Sequence, residues 1–126
     1  MTLVRGIRGA TRAAKNTRED ILAATEQLLL EIQQVNQIEL DSIASVFLTT
    51  TPDLNAEFPA YVTRQLGWNT VPVLCAREID VPHGMSSVIR VMMHINTDKS
   101  PAEIKHVYLG GTARLRPDLH EEEPES

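Results

Sequence analysis

The stretch Val88-Ile89-Arg90-Val91-Met92-Met93-His94-Ile95 is apolar but for two positions and predicts a β-strand over 88–95. A strand's period of two divides it into faces. Ile89, Val91, Met93 and Ile95 form a fully apolar face, suited to cover by a helix, while Val88, Arg90, Met92 and His94 share the other. Arg90 is the anomaly in this pattern. A guanidinium stays protonated and costs several kcal/mol to bury without an anion. Arg90 therefore has a carboxylate partner inside the protein or faces a site where a ligand supplies one.

The rest of the chain alternates strand and helix signals. Residues 3–11 read as a strand in which Gly6 and Gly9 allow bends or close backbone approach; Arg8 shares a face with Val4, Gly6 and Ala10, and Arg5 takes the other. Thr17 reads as an N-cap with Glu19 and Asp20 in the first turn. Ile21, Leu28, Ile32 and Val35 then fall at helical spacing, widened by Leu22 and Leu29, for about five turns. Asp41 is placed to cap a short helical turn, and residues 45–51 read as a second strand stopped by Pro52-Asp53. Pro59 opens a second helix over 60–66, ended by Gly67. Residues 71–75 read as a third strand whose Pro72 argues for an edge or a strand start. Pro82-His83-Gly84 reads as a turn, 101–104 as a brief helical turn, and 106–109 as the last strand, closed by Gly110-Gly111.

Composition narrows the class. A chain of 126 residues forms one domain, and 42% apolar with 23% charged residues is ordinary for a globular protein. No apolar run approaches the roughly 18 residues that span a bilayer, and the first residues lack the features of a secretory signal. A single cysteine, Cys75, excludes an internal disulfide and suits a reducing, cytoplasmic setting. The net charge of −5 gathers at the end, where Glu121, Glu122, Glu123 and Glu125 leave a body at −1 when set aside. Such a body is not built to track a phosphate backbone, so neither nucleic acid nor membrane is expected as a partner. Residues 120–126 read as an acidic tail with too little apolar surface to order itself, outside a domain of residues 1–119.

Arg8, Arg90, Arg114 and Arg116 lie on or beside predicted strands. Converging arginines suit a substrate bearing carboxylates, because the planar fork binds them bidentately. Arg5, Arg12, Arg18 and Arg77 read as surface residues engaged in salt bridges. Glu78 is the partner of Arg90, an acid/base, an acceptor for a ligand hydroxyl, or a plain solvated carboxylate. Tyr108 reads as a half-buried aromatic with a polar tip, and Cys75 as a small buried hydrophobe before a nucleophile. His83, His94, His106 and His120 show no metal-ligand spacing. There is no G-x-S-x-G, C-x-x-C, P-loop or dinucleotide fingerprint. An enzyme built from this kit works by binding shape and charge.

The segments Arg5-Gly6-Ile7-Arg8-Gly9-Ala10-Thr11, Thr51-Pro52-Asp53-Leu54, Phe58-Pro59-Ala60, Arg77-Glu78, Val88-Ile89-Arg90-Val91, His106-Val107-Tyr108-Leu109 and Leu115-Arg116-Pro117-Asp118-Leu119, in this order, resemble the trimeric αβ class of chorismate mutase. The resemblance runs from Val4 to Leu119. It implies an α+β fold, with a mixed β-sheet of about five strands and helices on one face, assembling as a homotrimeric pseudo-α/β barrel. It implies the Claisen rearrangement of chorismate to prephenate, on the route to phenylalanine and tyrosine. The reaction is intramolecular and pericyclic, so no nucleophile, metal or cofactor is expected.

By the resemblance, Arg90 lies beside the ether oxygen where negative charge grows, and Glu78 accepts from the ring hydroxyl and orients Arg90. Arg8 and Tyr108 bind the side-chain carboxylate, and Cys75 lies near the ring hydroxyl. Phe58, Ala60, Val73, Leu74 and Leu115 form walls, and Arg64 and Arg116 rim the entrance. Each site is expected between two subunits, with Phe58, Ala60 and Arg64 from one chain and Arg8, Cys75, Glu78, Arg90 and Tyr108 from the next. Tyr61 stands where relatives carry lysine, and Leu74 where relatives carry threonine. Two other readings stay open: a trimeric imine deaminase of related fold, and a non-catalytic module that binds acidic metabolites.

Overall fold

Five strands and two helices carry the described part of the chain, residues 2–115 of a computed structural model. In order they are β1 (Leu3–Arg12), α1 (Arg18–Val35), β2 (Ile43–Thr50), α2 (Tyr61–Gln65), β3 (Val73–Arg77), β4 (Val88–Thr97) and β5 (Val107–Tyr108). Short 3-10 turns lie at Leu40–Ser42, Pro101–Glu103 and Thr112–Leu115. The strands make one mixed sheet in the order β3-β2-β4-β1-β5. β4 is central and antiparallel to both neighbours, whereas the edge strands β3 and β5 pair in parallel with β2 and β1. The α+β architecture expected from the sequence is the one observed.

Helix α1 starts where its cap is. The Thr17 side chain accepts from the Asp20 amide at 3.1 Å. Ile21, Leu22, Leu28, Leu29 and Ile32 are buried and share one core with Ile7, Val46, Leu48 and Ile89, Val91, Met93 and Ile95 of β4. Each such side chain contributes about 1.5–3 kcal/mol of burial. Ile89, Val91, Met93 and Ile95 are buried, while Arg90, Met92 and His94 on the opposite face are only partly covered. Helices therefore cover one face, and the Arg90 face is open within the chain. Val88 departs from this division, being buried on the Arg90 side. Gly9 permits the close approach of α1 and β5 to β1: a Cβ there would lie 2.9 Å from both Ile32 Cδ1 and the Val107 carbonyl oxygen.

Several boundaries differ from expectation. β3 begins two residues later than the apolar run suggests, because Val71 closes the turn after α2 through its amide to the Trp68 carbonyl, and Pro72 has no amide to pair. β3 then runs on through Ala76 and Arg77, which pair with Thr49 and Thr50. Asp41 lies inside its 3-10 turn rather than capping it. Arg114 sits beside the sheet rather than on it, in the 3-10 turn after Gly111, whose Thr112 hydroxyl donates to the Ala10 carbonyl of β1. The boundary expected at 119/120 lies outside the described residues. Among the described residues, no helix is long and apolar enough to cross a membrane.

A clasp fixes the entry to β4. Asp53 accepts from the Ser87 amide at 2.9 Å and from its hydroxyl at 3.0 Å, holding a serine whose φ is 59°. Partial burial pushes the Asp53 carboxyl up, but hydrogen bonds from the Thr51 and Ser87 side chains and the Asp53 and Ser87 amides together hold it below its ordinary value. A carboxyl lowered by folding stabilises the fold above the unfolded-state value and loses that contribution as pH falls through the folded one. Asp53→Ala should therefore lower stability at neutral pH. Denaturant titrations of both proteins should show the gap closing below the ordinary carboxylate range; a gap constant with pH would contradict the charge's role.

Candidate active site

Arg90 stands mid-strand on β4, opposite Ala10 of β1 and Thr49 of β2. On this open face a cleft of about 160 Å³ is lined by Arg8, Phe47, Thr49, Glu78, Arg90, Met92 and Tyr108, with backbone from Gly9 and Val91. The register explains the grouping: Arg8 pairs with Met92, Ala10 with both Arg90 and Tyr108, and Phe47 with Met92. Alternation sends all these side chains the same way.

Glu78 is the first residue past β3, and its amide donates to the Thr50 carbonyl at 2.9 Å. That bond continues the parallel ladder and turns the carboxylate onto the open face. Glu78 Oε2 accepts from the Thr49 hydroxyl. Glu78 Oε1 lies 3.6 Å from Arg90 Nη1, an ion contact longer than a hydrogen bond and without the bidentate fork. The side chains of Arg90 and Glu78 are 36% and 24% exposed. The strand is thus not buried on both faces, as its apolar run suggested. Arg90 meets both conditions inferred from the sequence: it has an internal carboxylate nearby, and it faces a cleft.

Arg8 is held through its backbone, whose amide donates to His106 Nδ1 at 2.9 Å. That bond requires a lone pair on Nδ1 and leaves any ring proton on Nε2. The Tyr108 hydroxyl is shielded from solvent.

The other expected residues group elsewhere. Phe58 and Cys75 line a second cavity of about 400 Å³ with Leu54, Pro59 and Ala76. Cys75 pairs with Leu48 and Val73 with Val46, so both project toward the helix layer, while Leu74 pairs with Phe47 on the open face. Burial pushes the Cys75 thiol up, against a smaller lowering by a hydrogen bond from the Ala60 backbone. Cys75 is therefore a thiol near neutral pH and a poor nucleophile. The structure brings it to Ala60 of its own chain and not to Arg90.

Arg64 lies on α2, its guanidinium carbon 5.5 Å from the Tyr61 ring centroid, and that of Arg18 lies 5.1 Å away. Arg18 also pairs with Glu57 at 2.9 Å, and Glu57 accepts from the Phe58 amide. Leu115 ends the last 3-10 turn, half-buried. Arg116 lies outside the described residues. Sequence reasoning missed Phe47, Thr49 and Met92. Their signal is positional: each faces Arg90 or Arg8 once the strands are paired.

Comparisons with known proteins point to one family. A family model described as chorismate mutase type I matches residues 4–119. The chain is 47% identical over 118 residues to "Chorismate mutase AroH" of Bacillus subtilis (strain 168), covering 93% of each protein. It is 46% identical over 118 residues to the AroH chorismate mutase of Thermus thermophilus, covering 93% of this chain and 97% of that one. A solved chorismate mutase from Clostridium thermocellum superposes with a TM-score of 0.86 at 48% identity, covering 88% of this chain and 99% of that one. With a match that takes in nearly the whole sheet and every described wall of the Arg90 cleft, the chain belongs to the chorismate mutase type I family.

Proposed function

We propose that the Arg90 cleft binds chorismate and rearranges it to prephenate, with Arg90 and Glu78 at the reacting centre. The observation that carries this reading is a guanidinium fixed mid-sheet, 3.6 Å from a single carboxylate oxygen and not clasped by it in a fork, in a cleft shared with Arg8 and Tyr108. In the rearrangement one C–O bond breaks and one C–C bond forms within the same molecule. No proton or group leaves, so the protein has two tasks. Arg8 and Tyr108 grip the side-chain carboxylate and fold the enolpyruvyl arm over the ring, removing the entropy of finding the reactive conformer. Arg90 donates to the ether oxygen as it gains negative charge. Glu78 accepts from the ring hydroxyl and steadies Arg90.

One chain supplies an incomplete cavity. A cleft of about 160 Å³ falls below the roughly 300 Å³ at which small-molecule pockets begin. Phe58, Leu74 and Phe47 leave 71%, 61% and 43% of their surfaces exposed, as faces meant for cover do. A homotrimer meets both needs. Phe58, Ala60 and Arg64 of one subunit close over Arg8, Glu78, Arg90 and Tyr108 of the next. Leu74 and Leu115 extend the wall, and Arg64 and Arg116 draw in the dianion. The proposed location is the cytoplasm, in keeping with the one free thiol.

The test is direct. Purified protein is mixed with chorismate and the ultraviolet absorbance of the substrate is followed. Decay accelerated by about 10⁶-fold or more is expected, with prephenate as the product. Decay no faster than in buffer would leave a binding module, and release of ammonia from an imine would favour a deaminase.

A further inference from the structure

Thr49 belongs to none of the roles assigned above, yet it stands directly across the ladder from Arg90 and lines the same cleft. Its hydroxyl donates to Glu78 Oε2. The other oxygen, Oε1, is the one that approaches Arg90 Nη1. We propose that Thr49 is a positioning residue: it holds one oxygen of Glu78 so that the carboxylate cannot close on Arg90 as a two-pronged pair. This rests on the reading of Arg90 and Glu78 as the reacting pair.

The argument is one of competing partners. A guanidinium offers five N–H donors in a rigid fork, and a free carboxylate nearby takes two of them. Glu78 is close enough to do so, being held by its amide at the end of the β3 ladder and partly shielded from water. The bond to Thr49 draws Oε2 toward β2, so that Oε1 is the oxygen presented to Arg90, and at 3.6 Å it makes a loose contact. The guanidinium keeps its fork for a substrate carboxylate and an ether oxygen. The same hydrogen bond fixes the carboxylate in place. Threonine on a strand serves both ends, since its methyl suits the sheet while its hydroxyl reaches sideways.

Thr49→Val keeps the branched shape and removes the donor. Expected are an unchanged melting temperature and a fall of about tenfold in kcat/KM. The fall should include a rise in KM, because the substrate then competes with Glu78 for Arg90. Thr49→Ser keeps the hydroxyl and should recover most of the loss. Thr49→Ala serves as a second donor-free variant should valine disturb folding. In a Glu78→Ala background, Thr49→Val should change kcat/KM by less than about twofold, because no carboxylate remains to be held. A Thr49→Val protein within twofold of the parent, beside a crippled Glu78→Ala protein, overturns the role of Thr49 and leaves the Arg90–Glu78 pair standing. An undiminished effect of Thr49→Val in the Glu78→Ala background also overturns it. Parental turnover in Glu78→Ala alone overturns the pair and the positioning role together.

Discussion

Arg90→Lys is expected to lower kcat about a thousandfold with little change in melting temperature. Lysine keeps the positive charge, so any effect isolates the geometry of the fork. Arg90 is anchored on a strand with hydrogen-bonded neighbours on both sides, and its side chain lies on the open face rather than in the apolar core. Removing the guanidinium therefore opens no buried cavity, and folding should survive. On the proposed reading, what is lost is a planar donor set that reaches a carboxylate and the ether oxygen together. An ammonium on a flexible stem meets one of them, from a position that is not fixed. About 4 kcal/mol of barrier is at stake, the size found when a single preorganised donor is removed from a dry site. Stopped-flow or steady-state absorbance gives kcat, and circular dichroism gives the melting temperature. A kcat within tenfold of the parent would mean that charge alone suffices and that the fork carries no chemistry.

The second large effect concerns assembly. Phe58→Asp should also be nearly inactive, since it places a carboxylate beside a dianionic substrate. The side chain is 71% exposed within the chain, so the substitution should not disturb folding. Mixing Phe58→Asp chains with Arg90→Lys chains, followed by dissociation and reassembly, should restore activity. Some sites then take Phe58 from one chain and Arg90 from its neighbour. With equal amounts and random assembly, roughly a quarter of the sites become wild type, and so roughly a quarter of the parental activity should return. If each chain owned a complete site, mixing would return nothing beyond the two residual activities. Light scattering on the same samples checks that three chains are present.

How far the sequence reveals this molecule can be read from particular residues. Thr17 and the spacing from Ile21 to Ile32 predict α1 correctly, because a cap and an amphipathic stripe are local signals. The alternation along β4 separates its buried face from its open one for the same reason. Strand order is not local, and the adjacency of Thr49 and Ala10 to Arg90 appears only with the pairing. Thr49 is invisible beforehand because threonine in Val46-Phe47-Leu48-Thr49-Thr50 reads as strand propensity. Glu78 stands out only through the family resemblance, since a carboxylate after a short strand is ordinarily solvated. Cys75 illustrates a different limit: which face it takes depends on the start of β3, and a proline immediately before that start obscures it. The Ser100 and Glu103 capping box, with the Ser100 amide donating to Glu103 Oε1 at 2.8 Å, sets the turn before β5 and leaves no trace in the apolar pattern.

The two members of the central ion pair hold unequal tenure. The cation rides on a strand hemmed in by partners left and right, whereas the acid hangs just past the rim of the sheet, where β3 has a neighbour on one flank alone within its own chain. Thermal fraying begins at such rims. Gentle warming should then part the acid from its cation while the middle of the sheet still stands, and in the proposed trimer a subunit lying against that margin would lend the catalyst endurance as well as a wall.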